Sequence, residues 1–251
     1  MSRYLLTIKY DGSNYCGWQV QPNGVSVQYI IQTALKELLN DNSVCVTGCS
    51  RTDAGVHANM FCLHFDSDTT IPVEKIPFAL NVRLPLDIKA IECKRVADDF
   101  HARYSSKGKT YIYRILNSPL PDPFKSKYSL QIAKPIDINL MNVACKKFVG
   151  THDFAAFCSV GSSVVDTVRT VYACSADRNG DDIFISITAN GFLYNMVRII
   201  VGTLLEVDSG KILVEDIDNI ITSKDRNCAG HTVKPHGLFL ERVHYNEMDI
   251  C

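Results

Sequence analysis

The chain has 251 residues, 46% hydrophobic and 21% charged, a globular balance that excludes a disordered or fibrous protein and allows one large domain or two small ones. A net charge of −1 excludes bulk attraction to a polyanion, so any grip on nucleic acid has to come from local patches. No apolar run reaches membrane-spanning length, and Met1-Ser2-Arg3-Tyr4 leads into a strand pattern rather than a signal core, so a cytoplasmic protein without a membrane partner is expected.

From Arg3 to Tyr10, aromatic and β-branched residues alternate, the pattern of a strand. Asp11-Gly12-Ser13-Asn14 is turn chemistry, and an aromatic stretch follows at Tyr15-Cys16-Gly17-Trp18-Gln19. Ser26 is placed to cap a helix whose apolar positions are Val27, Ile30, Ile31, Ala34, Leu35, Leu38 and Leu39. Strands are expected at Asn42–Thr47, Met60–Phe65 and Ile88–Val96, with a short helix over Val73–Leu80 and a loop at Asn81–Pro85. The order β-α-β-β-(α)-β suits an antiparallel sheet with helices on one face.

The second half repeats that order without a visible sequence repeat. Lys109–Leu116 reads as a strand, and Leu140, Met141, Ala144, Cys145, Phe148 and Val149 mark a helix capped by Asp137. Val168–Ala176 and Ile183–Ala189 form a hairpin pattern about Asn179-Gly180. Helices follow over Leu193–Val207 and near Val214–Ile221, then a last strand at Gly237–Val243. The expected fold is therefore α+β, with two similar lobes, 1–105 and 106–251, each a mostly antiparallel sheet with helices on one face, meeting at a central basic cleft.

Charge is unevenly distributed. Lys94, Arg95, Arg103, Lys107, Lys109 and Arg114 face only Asp98 and Asp99, whereas Glu206–Asp218 carries five carboxylates against Lys211. The ten cysteines include no C-x-x-C, and the closest pair, Cys45 and Cys49, has no second pair to match it. Zinc and iron–sulfur sites use clustered ligands, so reduced and mostly buried thiols are expected, with no metal. Neither G-x-G-x-x-G nor a Walker-type loop occurs, so no nucleotide cofactor is implied.

Two features stand out chemically. Gly48-Cys49-Ser50-Arg51-Thr52-Asp53-Ala54-Gly55-Val56-His57-Ala58 is a tight polar loop between apolar strand patterns. Asp and Gly are ordinary turn residues, but Arg, Thr and His on a loop pinned by strands fit a functional site. The helix Leu193–Val207 has almost no polar face yet carries Arg198 in its middle. A guanidinium stays charged, so it needs either a carboxylate or phosphate partner or a path for its stem to the surface.

Taken together these motifs resemble the tRNA pseudouridine synthase A family. Tyr10-Asp11-Gly12-x-x-Tyr15-x-Gly17-Trp18-Gln19 is similar to its first motif, and Arg51-Thr52-Asp53-Ala54-Gly55-Val56-His57-Ala58 to its active-site loop, with Ser50 where Gly is frequent. Asp99-Phe100-His101-Ala102-Arg103-Tyr104-Ser105 with Lys109-Thr110-Tyr111-Ile112-Tyr113, and Met196-Val197-Arg198-x-x-Val201-Gly202, resemble two further regions. The resemblance implies isomerisation of uridine to pseudouridine in the tRNA anticodon stem–loop, at positions 38 to 40, by a homodimer without cofactor or metal. By position, Asp53 is the nucleophile or base, Arg198 pairs with it, and Tyr111 stacks on the uracil. Arg51, Tyr111, His57, Arg103 and Lys107 are the implied substrate contacts, with Arg51 filling the gap of the flipped base. On sequence grounds Tyr111 and Tyr113 fit a core equally well, and neither His57 nor His101 has a partner at metal-ligand spacing. Two competing classes are an RNA-binding protein without catalysis and a glycosidase-like hydrolase, the latter wanting a second carboxylate that does not accompany this loop.

Overall fold

The computed structural model describes residues 1–161 and 164–246. The protein is α+β and folds as two compact units. The first is Met1–Lys107 together with the strand that returns from Phe239; the second is Gly108–Leu238. The sequence grouped residues 106–251 as one lobe, but the last strand belongs with the first unit.

In the first unit, β1 (Ser2–Tyr10) pairs antiparallel with β3 (His57–Ser67) on one side and β4 (Ile88–Val96) on the other. The other edge of β3 takes β2 (Thr47–Gly48) antiparallel and β10 (Leu238–His244) parallel, through Phe239–His57 and Leu240–Ala58. Helix α1 (Val27–Leu39) begins where expected: Ser26 Oγ accepts the Tyr29 N–H, and Val27, Ile31, Ala34 and Leu35 are buried on one face. Helix α2 (Ile76–Asn81) follows a 3-10 turn at Val73–Lys75. Leu6, Ile8, Ile31, Leu35, Phe61, Leu63 and Phe65 are wholly or almost wholly buried, and removing several side chains of that size from water is the main stabilising term here.

The strand expected over Asn42–Thr47 shrinks to β2. Asp41 Oδ1 takes both the N–H and the hydroxyl of Ser43, which turns the chain, and the Val46 backbone bonds to Gln32 Oε1 and Gln28 Nε2. Side chains of α1 thus satisfy groups that a ladder would otherwise pair.

The second unit's sheet runs β5 (Gly108–Leu116), β9 (Asp182–Ala189), β8 (Val168–Asn179) and β7 (Gly150–Asp153), all antiparallel, with β6 (Leu130–Gln131) parallel on the other edge of β5. The β8–β9 hairpin turns on Gly180-Asp181, one residue later than expected, because Asn179 still pairs with Asp182 while Gly180 adopts a φ of +60°. Helix α3 (Ile138–Lys146) is capped by Asp137, whose Oδ1 accepts the N–H groups of Asn139 and Leu140. It packs on β8 and on α4 (Met196–Asp208), which in turn packs on β5. Helix α5 (Asp216–Ser223) lies by β7.

Helix α4 starts three residues later than the apolar pattern indicated. Leu193 is buried but precedes the helix, and Asn195 takes the N-cap position with a left-handed φ of 61°. Arg198 therefore sits in the first turn, not mid-helix. Nine of the cysteines are thiols outside any disulfide: four are buried, three half-buried, and Cys45 and Cys228 exposed.

Candidate active site

The Asp53 loop is held from below by backbone packing that only glycine permits. Gly17 has a φ of +102°, and a Cβ there would lie 2.5 Å from the Thr52 carbonyl oxygen. A Cβ on Gly12 would lie 2.0 Å from the Val56 oxygen. Gly48 lies under Trp18 and Phe61, whose rings stack at 4.1 Å. The glycines of the first motif are thus contact surfaces for the second.

Hydrogen bonds complete the clamp. The Tyr10 hydroxyl is 2.8 Å from Thr52 Oγ1, and the Trp18 N–H donates to the Thr52 carbonyl at 3.1 Å. The Val56 N–H donates back to the Asp53 carbonyl at 3.2 Å, closing a turn with Gly55 at a φ of 77°. Thr52 is buried, Asp53 half-buried and Arg51 exposed, so three consecutive residues pass from anchor to surface.

His57 is 1% exposed and stacks on Phe239 at 4.6 Å. Its Nδ1 lies 3.0 Å from both the Gly12 nitrogen and Asp11 Oδ1. Asp11 Oδ1 already accepts the Ser13 N–H and hydroxyl, so Nδ1 is best placed as an acceptor for Gly12. The ring is a rivet between the two motifs.

In the second unit, Tyr111 and Tyr113 share one face of β5, as a period of two requires. Tyr111 is 5% exposed and meets Phe192 edge-on at 5.0 Å. Tyr113 is fully buried, lies against Gly237, and donates its hydroxyl to the Lys234 carbonyl at 2.7 Å. Burial pushes the Tyr113 phenol up, and the positive charge of Arg198 pulls it the other way.

Arg198 is half-buried and directed by oxygens around it. Nε donates to the Val233 carbonyl at 2.8 Å, and Nη1 to Asn195 Oδ1 at 2.5 Å. Asn195 is itself held, its Nδ2 donating to Ser159 Oγ at 2.9 Å. The Val233 carbonyl stays in place because residues 229–233 lie directly on α4: a Cβ on Gly202 would fall 1.8 Å from the His231 oxygen, and one on Gly230 would fall 2.6 Å from Thr203 Cα.

Arg103 and Lys107 are exposed, and the Lys107 N–H donates to the His244 carbonyl at 2.8 Å, tying the segment to β10. Arg51, Thr52, Asp53, His57, Arg103 and Lys107 thus lie in the first unit and Tyr111 and Arg198 in the second. Among the described residues no group of three or more His, Cys, Asp or Glu is placed to hold a metal ion, and no helix is long and apolar enough to cross a membrane. Sequence reasoning did not single out Asn195, His64 or the anchoring role of Tyr10. Asn195 had a signal, an Asn three residues before an arginine at a helix start; the other two had none.

Asp53 is thus half-buried on a clamped loop, two residues after the exposed Arg51. The family profile described as tRNA pseudouridine synthase matches residues 6–105 and 144–246. The chain belongs to the tRNA pseudouridine synthase family, which makes it an isomerase that forms pseudouridine in tRNA. It is 48% identical over 245 residues to tRNA pseudouridine synthase A of Thermoanaerobacter sp. (strain X514), covering 98% of this chain and 100% of that one. To tRNA pseudouridine synthase A of Halalkalibacterium halodurans it is 44% identical over 242 residues, covering 96% and 92%. Among solved structures, a chain of the archaeal box H/ACA sRNP Nop10–Cbf5 complex aligns at 12% identity and a TM-score of 0.37, over 96% of this chain and 49% of that one.

Proposed function

We propose that this enzyme acts on uridines at positions 38 to 40 of the tRNA anticodon stem–loop, with Asp53 as the catalytic carboxylate. The observation that carries this reading is the clamp on the Asp53 loop. A carboxylate whose backbone cannot shift is preorganised for a reacting atom, and a base in a stem must leave the stack to reach it.

The net reaction breaks the N1–C1′ bond and joins C5 to C1′. The C5 proton leaves to a base and N1 gains a proton, so no co-reactant is consumed. Asp53 serves as nucleophile, at C1′ or at C6, or as the base of an elimination that gives a glycal. Arg198 is proposed to keep Asp53 ionised, since a neighbouring cation favours the charged carboxylate. Tyr111 is proposed to lie against the uracil and to assist loss of the C5 proton. Arg51 fills the vacated stack, and Arg103 and Lys107 meet phosphates, which position RNA without reading it. His57 supports the loop from beneath. The enzyme is read as a cytoplasmic homodimer, and light scattering in solution checks its oligomeric state.

The test is release of tritium from C5-labelled uridine in undermodified tRNA. Asp53→Asn should fold normally and release no label above background, and Arg198→Leu should lose activity. Near-normal turnover by Asp53→Asn would remove Asp53 from the mechanism. Bound RNA without label release from the wild-type protein would indicate a binding protein, and free uracil in the products a hydrolase.

A further inference from the structure

The turn after β4 is bonded at almost every backbone group. The Ala102 N–H is accepted by His64 Nδ1 at 3.1 Å, and those of Arg103 and Tyr104 by His101 Nδ1 at 3.1 and 3.2 Å. Ser105 closes the turn, its N–H donating to the His101 carbonyl at 2.8 Å and its Oγ accepting the His101 N–H at 3.0 Å. Arg3 Nη1 takes the Phe100 carbonyl and the Tyr245 hydroxyl takes that of Ala102, both at 2.9 Å. Three successive N–H groups accepted by imidazole nitrogens make a rigid mount, and what it presents outward is Arg103 and Tyr104.

Tyr104 is 77% exposed. The Arg103 guanidinium carbon lies 5.8 Å from its ring centroid, and the His101 ring 4.3 Å away at a tilt of 33°. A single exposed aromatic is ordinary on a protein surface. This one stands at the rim of a groove of about 250 Å³, lined also by Trp18, Gln19, Arg51, His101 and Arg103. No carboxylate lines the groove, and among the described residues neither the Arg51 nor the Arg103 guanidinium has a hydrogen bond or an ion pair. Two guanidiniums without counter-ions beside an open ring select an anion that carries a flat apolar face. A guanidinium fork fits a phosphodiester, and an aromatic face stacks an unpaired base.

We infer that this groove is a subsite for one unpaired nucleotide of the RNA substrate, its base on Tyr104 and its phosphodiester against Arg103. The inference rests on the function proposed above in one respect. Because Arg51 is read as filling the stack left by the target uridine, the nucleotide in the groove is a near neighbour of the target, not the target itself.

Kinetics on an anticodon stem–loop RNA test this. Tyr104→Leu should raise KM roughly tenfold with kcat within about twofold, while Tyr104→Phe, which keeps the ring, stays within about twofold in both. Arg103→Gln should reduce the slope of log KM against log salt by about 0.7 to 1, one phosphate contact. RNAs with one abasic site next to the target should identify the stacked base: its removal weakens the wild type as Tyr104→Leu does, and the two losses should not add. An unchanged KM for Tyr104→Leu, or full additivity with every abasic position, overturns the subsite. If the wild type binds RNA but forms no pseudouridine, the proposed function fails instead, and the same variants are then read through Kd.

Discussion

The Asp53 loop and the start of α4 hold their charged side chains by opposite means. Around Asp53 the restraint is on the backbone: Gly12 and Gly17 allow neighbouring main chain to approach so closely that a methyl group has no room. Around Arg198 the restraint is on the side chain, by the Val233 carbonyl and the Asn195 amide. A short acidic side chain has little freedom once its backbone is fixed. A long guanidinium keeps several rotatable bonds after its helix forms, and only directed acceptors fix it. Damage to the loop should therefore spread through the main chain, whereas damage at α4 should stay with one side chain.

The largest effect is expected from Gly17→Ala. The added Cβ meets the Thr52 oxygen at 2.5 Å and imposes a left-handed backbone on alanine, so the loop has to move. Activity by tritium release should fall at least about a hundredfold, with a lower melting temperature. Retained activity would show that the loop tolerates displacement, and the contrast with α4 would vanish.

Asn195→Gly should come next. Glycine keeps the left-handed N-cap without strain, so the change removes only the amide that directs Arg198. We expect kcat to fall about tenfold with the KM for RNA within about threefold, and Asn195→Asp, which keeps an acceptor, to recover part of the loss. An unaltered kcat would mean that Arg198 is held well enough without the Asn195 amide.

The smallest effect concerns stability against pH. Burial, with Arg3 and His101 nearby, lowers the His64 pKa from 6.5 to about 4. Between those values the unfolded chain binds the proton that the folded chain resists, so stability is full above about pH 6.5 and declines toward pH 4. His64→Asn, which retains an acceptor for the Ala102 N–H, should flatten that decline in urea melts at pH 7, 6 and 5. An unchanged slope would place the acid sensitivity elsewhere.

Periodicity marked every long element because each buries one face, and burial at a period of 2.0 or 3.6 is visible in one dimension. Ser26 and Asp137 marked two helix starts because capping is local. Two element boundaries shifted where side chains bonded outside the element. Gln28 and Gln32 cut the strand before β2 short, and Asn195 delayed α4 so that Arg198 falls in its first turn. Asp53, Arg51 and Arg103 were readable as a charged loop and patch. The rivet made by His57 and the imidazole mount under Tyr104 were not, since each joins residues about 40 apart or more.

The sequence by itself determined the α+β class, the family and the residues that carry charge, since these follow from local pattern and from motif order. The tertiary structure alone decided which of those residues are held still, and by what. Rigidity comes from main chains in contact and from hydrogen bonds across long separations, such as Tyr10 to Thr52 and Arg198 to Val233. No local pattern encodes such pairings, because they exist only once the chain has closed on itself.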